Sequence, residues 1–193
     1  MPETKLKIRL LGDPGLRKAS KPVRQVTEGH RQVLSQMAGL MYESSGVGLA
    51  ASQVGIYESM IVTDTGSGLY KLINPKVVKK EGSQVTEEGC LSVPGVCIKV
   101  KRARKVLVEA QDENGKPVSI EARDLLACVF QHEIDHLKGR LIVDYASFWE
   151  RLKISRKLKG LSRKSGIPRE AGKRGSRDEK LPESKAESCK LQL

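Results

Sequence analysis

The sequence predicts an α+β domain followed by a basic C-terminal tail. Short strand-like runs separated by turn sequences fill the middle of the chain, and they do not alternate with helices as a βαβ fold requires. The charge is also divided. Residues 1–150 hold 21 basic and 18 acidic residues, a net of +3, whereas residues 151–193 hold 14 and 5, a net of +9. This excludes a protein that is basic throughout, such as a histone-like DNA coater, and indicates a tail that favours anionic partners.

Membrane insertion and secretion are not expected. No run approaches the roughly 18 apolar residues of a transmembrane helix, and the N-terminus lacks the apolar core of a secretory signal. The sequence therefore predicts a cytoplasmic location. In that compartment the four cysteines, Cys90, Cys97, Cys128 and Cys189, are expected to be thiols or metal ligands rather than disulfides.

Two helices are predicted before residue 140. Residues 28–44 carry apolar side chains at helical spacing, and Thr27 can serve as the N-cap. Residues 125–138 begin with the wholly apolar run LLACVF, which indicates a buried helix. Asp124 is expected to cap this helix, and Gly139 is expected to end it.

The C-terminal part of the chain divides into a helix and a tail. An aromatic stripe at helical spacing predicts a third helix over residues 145–161. Residues 162–193 have no aromatics, few aliphatics and many charged and small residues, which predicts disorder. The expected organisation is therefore a body of residues 1–161 and a basic tail of residues 162–193.

Two β-hairpins are predicted in the middle of the chain, because glycine-containing turns separate strand-like runs. The first joins residues 59–64 to residues 69–75, and the second joins residues 106–111 to residues 117–122.

The clearest chemical signal is an HExxH sequence at residues 132–136, within the predicted buried helix. Residues four apart share a helical face, so His132 and His136 can bind one metal ion. Glu133 follows the first histidine and is placed to contact a water on the metal rather than the metal itself.

A catalytic divalent site needs a third protein ligand and one open position. No histidine follows His136, and the best remaining candidate is the upstream Cys90. A thiolate favours a softer ion such as Zn(II) or Fe(II). Cys97 and Cys128 compete with Cys90 for this role, and spacing alone does not choose among them.

A third segment, GVGLAASQ at residues 46–53, is rich in small residues that allow a backbone to approach a ligand closely. Its last residue, Gln53, can aim an amide donor at a developing oxyanion. The segment fits neither a P-loop nor GxGxxG, so phosphate binding is not expected.

Taken together, GVGLAASQ at 46–53, EEGCLS at 87–92 and QHEIDHLKG at 131–139 resemble, in this order, the three signature motifs of the peptide deformylases. The resemblance covers roughly residues 6–160. It implies removal of the formyl group from the initiator methionine of new bacterial proteins, and a fold in which β-sheets surround a central HExxH-bearing helix. It also implies that the cysteine of EGCLS, here Cys90, is the third metal ligand.

The resemblance assigns roles to further residues. The expected metal ligands are Cys90, His132 and His136. The expected catalytic residues are Glu133 as general base and acid, with the Gln53 amide and the Leu91 backbone N–H as oxyanion donors. The expected metal is Fe(II), with Zn(II), Ni(II) or Co(II) as possible substitutes.

Specificity is expected to come from the methionine side, because the formyl group is a single carbon. The predicted substrate-binding residues are Val47, Gly48, Gly89, Leu125, Cys128 and Val129. Among them, Gly48 and Gly89, together with Leu91, are expected to pair with the peptide backbone as an added strand.

Two departures from the family pattern stand out: Ser52 in the first motif, and Cys97 where many members place Arg or Tyr near the substrate groove.

Two other functions compete with deformylation. A zinc endopeptidase would need a downstream third ligand, and a non-catalytic ribosome or nucleic-acid binder would explain only the charge. The expected partners are formylmethionyl nascent peptides and, through the basic tail, the ribosome. Neither a membrane nor DNA is expected as a partner. The alternative for the tail is that it has no partner.

Overall fold

The computed structural model describes residues 5–147, 149–152, 154 and 193, and these residues form an α+β fold, as predicted. The α-helices are α1 (Glu28–Glu43) and α2 (Asp124–Leu137). The strands are β1 (Gly48–Ala50), β2 (Met60–Thr63), β3 (Tyr70–Glu81), β4 (Gln84–Glu88), β5 (Ile98–Arg102), β6 (Lys105–Gln111) and β7 (Pro117–Arg123). Short 3-10 helices span Pro14–Arg17, Ala51–Val54 and Ile142–Asp144. Within the described part of the chain, no helix is long and apolar enough to cross a membrane.

Five strands form an antiparallel sheet in the order β1-β2-β3-β6-β7, and β4 pairs with β5 in a separate two-stranded sheet. Both predicted hairpins are confirmed, because β2 pairs with β3 and β6 pairs with β7. The β4–β5 pair is absent from the sequence prediction. Strand β5, IKVKR, alternates buried and exposed residues as a strand with one covered face does. Strand β4, QVTEE, also alternates in burial, but its residues are mostly polar, so its sequence shows no apolar alternation.

One face of α2 packs against the five-stranded sheet. Ala127, Phe130, Ile134 and Leu137 recur at helical spacing and share one core cluster with apolar residues of the sheet. The sheet members of this cluster include Ile61, Leu72, Val106 and Val108. At 3.6 residues per turn, positions 132 and 136 lie on the opposite side of the helix from this apolar face. The packing of α2 therefore directs the two histidines away from the sheet.

The predicted cap of α1 is confirmed and that of α2 is wrong. Thr27 is the N-cap of α1, and its backbone N–H donates to Nδ1 of His30 at 3.0 Å. In α2 the N-cap is Arg123, and Asp124 is the first helical residue, with φ of +49°. The Asp124 carboxylate accepts a hydrogen bond from Nε of Arg104, which draws it toward β6 and away from the helix N–H groups.

Gly139 ends α2, as predicted. It has φ of +71°, a conformation that favours glycine, and its N–H donates to the carbonyl of His136. A side chain at this position would also collide with the main chain of Arg17. The turn that follows the HExxH sequence therefore requires glycine for two separate reasons.

The third predicted helix begins later than expected. Residues 149–152 and 154 are helical, whereas residues 145–147 are not. Ser147 accounts for the later start, because its hydroxyl accepts a hydrogen bond from the backbone N–H of Glu150, as an N-cap does. The remainder of the predicted helix, and tail residues 162–192, lie outside the described residues.

Candidate metal centre

Three buried side chains converge on one point at the end of β4 and along α2. Helix α2 supplies His132 and His136, and the chain just after β4 supplies Cys90. Their ligand atoms all lie within 4.8 Å of one another. The Nε2 atoms of the two histidines are 3.1 Å apart, and Sγ of Cys90 lies 3.3 Å from Nε2 of His136. The site residues predicted from HExxH and EGCLS are therefore brought together.

This donor set fits one divalent ion. In a tetrahedral site with metal–nitrogen bonds near 2.0–2.1 Å and a metal–sulfur bond near 2.3 Å, neighbouring ligand atoms lie roughly 3.3–3.6 Å apart. Burial lowers the pKa of His136 well below its ordinary value, which keeps this imidazole neutral as a ligand must be. Burial also raises the pKa of the Cys90 thiol to about 12. The thiolate in this buried position therefore needs a neighbouring cation.

A buried carboxylate orients the first histidine. Glu88, at the end of β4, lies 3.0 Å from Nδ1 of His132, and Arg102 of β5 binds the same carboxylate through Nε at 2.8 Å and Nη2 at 2.9 Å. Burial alone would raise the pKa of Glu88, but the bonds from Arg102 and His132 outweigh it and lower the pKa to about 2. The ionised carboxylate accepts a hydrogen bond from the Nδ1–H of His132, which leaves the Nε2 lone pair facing Cys90 and His136.

Arg102 extends this network to a second acid. Its Nη1 donates to Oδ2 of Asp135, and the hydroxyl of Tyr145 donates to the same oxygen at 2.6 Å. Burial lowers the pKa of the guanidinium, but the adjacent Glu88 and Asp135 carboxylates more than reverse this effect and raise it. Arg102 therefore stays charged and bonds to both β4 and α2.

Glu133 differs from Glu88, since within the described part of the chain nothing hydrogen-bonds to its carboxylate. It is fully buried, and neither of its carboxylate oxygens has a hydrogen-bond partner among the described residues. Burial, reinforced by the charge of Glu88, raises the pKa of Glu133 well above its ordinary value. A buried polar group without a partner calls for an explanation, and a solvent or substrate molecule at the centre would supply one.

Gly48 provides the space that Glu133 needs. A Cβ at position 48 would overlap the Glu133 carboxylate, so any larger residue there would force this side chain to move. Of the predicted backbone-pairing residues, Gly48 is thus shown to lie beside the HExxH acid.

Gln53 lies on the other side of the centre and is fully buried in the 3-10 helix after β1. Its Oε1 accepts from the backbone N–H of Ala50 at 2.8 Å, and this bond fixes the orientation of the amide. Its Nε2 then faces Sγ of Cys90 at 3.7 Å and Oγ of Ser92 at 3.1 Å. The amide donor is therefore directed at Cys90, one of the three converging residues, and at Ser92.

Ser52, which departs from the family pattern in the first motif, is buried, and its hydroxyl donates to the carbonyl of His136 at 3.2 Å. It joins the 3-10 helix to the end of α2 and does not enter the centre.

The backbone on both sides of Cys90 makes peptide-like contacts. The N–H of Leu91 donates to the carbonyl of Leu193 at 2.9 Å, and the N–H of Leu193 donates to the carbonyl of Gly89 at 3.3 Å. The Leu91 side chain packs against Gly46, where a Cβ would leave it no room. Gly89 and Leu91 thus present one acceptor and one donor to an added residue.

The side chains predicted to line the methionine pocket differ in how deeply they are buried. Val129 and Cys128 are fully buried, Val47 is half-buried, and Leu125 is 37% exposed. Sγ of Cys128 lies 3.2 Å from Nε2 of Gln84, on the β4 side of α2. The role of these four side chains as pocket walls stays a prediction.

Among the described cysteines, Cys128 and Cys97 do not join Cys90 in the converging group. Cys90 and Cys128 are free and buried, as expected, and Cys128 is not part of the converging group. Cys97 is disulfide-bonded, so the expectation of a thiol or ligand is wrong there. Cys189 lies outside the described residues.

The orienting network contains four residues that were not predicted as site residues from the sequence: Glu88, Arg102, Asp135 and Tyr145. Glu88 and Asp135 both lie inside quoted motifs, EEGCLS and HEIDH, and two acids beside metal ligands could have signalled an orienting role. Arg102 and Tyr145 offered no such signal, because only the fold brings them to the site.

Comparison with known proteins gives one consistent family. A family model described as polypeptide deformylase matches residues 5–152. The peptide deformylase of Halothermothrix orenii is 50% identical over 141 residues, which cover 72% of this chain and 92% of that protein. The peptide deformylase of Syntrophomonas wolfei is 52% identical over 131 residues, which cover 68% and 86%.

Solved structures agree with these matches. The crystal structure of a peptide deformylase from Legionella pneumophila is similar with a TM-score of 0.79 and 41% identity, covering 84% of this chain and 99% of that one. The peptide deformylase from Synechococcus elongatus, in complex with actinonin, has a TM-score of 0.76 and 39% identity, covering 84% and 90%.

Replacing Glu88 by glutamine should weaken metal binding by about 10- to 100-fold, because His132 would lose the anionic acceptor that sets its tautomer. Competition with a chromogenic chelator would measure the dissociation constant of the metal. The matched control is Glu87→Gln, which changes the preceding, exposed glutamate. Equal metal affinity in the two variants would contradict an orienting role for Glu88.

Proposed function

The chain belongs to the polypeptide deformylase family, and we propose that a divalent metal held by Cys90, His132 and His136 enables its hydrolysis of formyl groups. Members of this family remove the N-terminal formyl group from newly made polypeptides. The observation that carries the proposal is the convergence of three buried ligand atoms beside Glu133, whose carboxylate oxygens have no partner among the described residues.

In the proposed reaction, water adds to the formyl carbonyl, the carbon–nitrogen bond breaks, and formate and a free N-terminal amine leave. The ion would polarise the carbonyl and lower the pKa of the attacking water. Glu133 accepts the proton from that water and returns it to the departing nitrogen. The burial that raises the pKa of Glu133 supports this role, because a more basic carboxylate holds the proton until the amine receives it.

Two donors would stabilise the negative charge that develops on the formyl oxygen. The Gln53 amide is fixed by its bond to Ala50, and the Leu91 N–H is held by the packing of its side chain on Gly46. Donors that are oriented before the substrate arrives need no rearrangement during the reaction. These contacts support Gln53 and Leu91 as the oxyanion donors.

We propose Fe(II) as the native ion, with Zn(II), Ni(II) or Co(II) as substitutes. One thiolate and two imidazoles suit each of these borderline metals, so the donor set is compatible with all four. If iron is the native ion, exposure to oxygen should inactivate the enzyme through the metal and the Cys90 sulfur.

The substrate is proposed to lie along Gly48, Gly89 and Leu91 as an added strand, with the methionine side chain among Val47, Leu125, Cys128 and Val129. The N–H of Leu91 and the carbonyl of Gly89 support this mode, because both already bond to the backbone of another residue, Leu193, in the structure. We further infer that the sheets enclose α2 as the family fold implies, and the burial of ten of its fourteen residues supports this.

A zinc endopeptidase is the weaker alternative, since the converging group takes its third ligand from upstream of HExxH rather than from downstream. Release of formate from a formyl-Met peptide, measured beside cleavage of casein, separates the two functions. Casein cleavage without formate release would overturn the proposal.

The catalytic domain is proposed to span residues 1–161, with residues 162–193 as a separate basic tail. The net charge of +9 over residues 151–193 supports a ribosomal partner, since ribosomal RNA presents a dense array of phosphates. A cytoplasmic location, where nascent chains emerge, follows from the same proposal.

Replacement of Glu133 by glutamine should leave metal content unchanged and lower kcat by about 10²- to 10⁴-fold, because glutamine cannot carry the proton. Metal analysis and formyl-Met peptide kinetics would check both parts. Glu87→Gln serves again as the exposed control. Activity close to that of the wild type would refute the proton-transfer role.

Replacement of Cys90 by serine should weaken metal binding and remove the sulfur-to-metal charge-transfer absorption of the Co(II)-substituted protein. Cys128→Ser removes the second of the two free buried thiols among the described residues and should leave that spectrum intact. An unchanged spectrum in Cys90→Ser would exclude Cys90 as a ligand.

Deletion of residues 162–193 should reduce co-sedimentation with ribosomes at low salt. Binding of the full chain should itself weaken as salt rises, because counterions compete for the phosphates. Equal co-sedimentation of the full and shortened chains would show that the tail has no ribosomal role.

A further inference from the structure

Leu193 is the one described residue far beyond the body of the protein, and it lies against the candidate active site. Its side chain is fully buried, with 0% of its surface exposed. Its backbone makes two hydrogen bonds: its N–H donates to the carbonyl of Gly89, and its carbonyl accepts from the N–H of Leu91. Leu193 therefore bonds to both neighbours of Cys90, which is how one residue of an added β-strand pairs with the strand beside it.

The two groups that Leu193 engages lie on either side of the metal ligand Cys90. They are also the groups through which a substrate backbone is proposed to pair, and the Leu91 N–H is one of the two proposed oxyanion donors. A peptide cannot use this N–H while it donates to Leu193 at 2.9 Å. Docking of Leu193 and productive binding of a formylated peptide are therefore mutually exclusive.

We propose that Leu193 occupies the substrate groove as an intramolecular competitor, so that the free enzyme is autoinhibited by a residue of its own chain. The proposal rests on the proposed function, since it identifies the groove of Gly89 and Leu91 as the substrate groove. Leucine resembles methionine in size and apolar character, which fits a groove that receives a methionine side chain.

A competitor that belongs to the same chain inhibits more strongly than a free peptide of the same intrinsic affinity. A segment linked to the same chain reaches its site at an effective concentration in the millimolar range, so even weak pairing can keep it docked. The apparent dissociation constant of an incoming peptide rises in inverse proportion to the fraction of open molecules. Docking in nine molecules of ten would weaken peptide binding about tenfold.

The test uses the metal-loaded full chain and the substitution Leu193→Glu, which places a charge where the structure buries an apolar side chain. Amide hydrogen exchange at Leu91, followed by NMR, reports docking without any dependence on catalysis. Calorimetric binding of the tripeptide Met-Ala-Ala and the KM for formyl-Met-Ala-Ala report access to the groove. Leu191→Glu is the matched control, since it adds the same charge two residues earlier.

In Leu193→Glu we expect Leu91 exchange to accelerate at least tenfold. The tripeptide dissociation constant and the KM should fall together by at least threefold, with kcat unchanged. Leu193→Ala should change each quantity in the same direction but by less. Exchange, affinity and KM equal to those of the wild type in both Leu193 variants would overturn the proposal, and so would an equal effect of Leu191→Glu.

The two proposals can fail separately. Faster Leu91 exchange and tighter tripeptide binding without any formate release would support docking and remove the deformylase function. Formate release with wild-type Leu91 exchange in every variant would support the function and remove the docking.

Discussion

A single buried carboxylate, that of Glu88, determines how the candidate metal centre is assembled. It accepts hydrogen bonds from Arg102 of β5 and lies against Nδ1 of His132 in α2, while Cys90 follows it by two residues. An unpaired charge at this depth would cost several kcal/mol, so the carboxylate needs both partners. Satisfying that one group brings the end of β4, the end of β5 and the HExxH helix to fixed positions.

The centre also contains two buried glutamates whose surroundings shift their pKa values in opposite directions. Glu88 is surrounded by donors, and these lower its pKa to about 2 despite burial. Glu133 has no donor among the described residues, so burial raises its pKa. One carboxylate is thereby kept as a permanent anion that orients a ligand, and the other is left able to gain and lose a proton.

Much of this could be predicted from sequence, because short motifs carry local geometry. HExxH places two histidines on one helical face, and the glycine-containing turns indicated both hairpins that the structure forms. The β4–β5 pair could not be predicted in the same way, since QVTEE lacks apolar alternation. Arg102 and Tyr145 could not be predicted either, because their contacts with Glu88 and Asp135 exist only after the chain folds. The expectation for Cys97 was wrong, since a presumed compartment does not decide the state of an individual cysteine.

The bond between Tyr145 and Asp135 carries the support of the candidate centre beyond the end of α2. Tyr145 lies beyond α2 and the 3-10 helix Ile142–Asp144, yet its hydroxyl donates to the acid that also holds Arg102. A fragment that stopped at the end of the HExxH helix would contain every proposed metal ligand and still leave Asp135 with one partner fewer. Contacts that support the proposed centre therefore extend beyond its last proposed ligand, His136, at least as far as Tyr145.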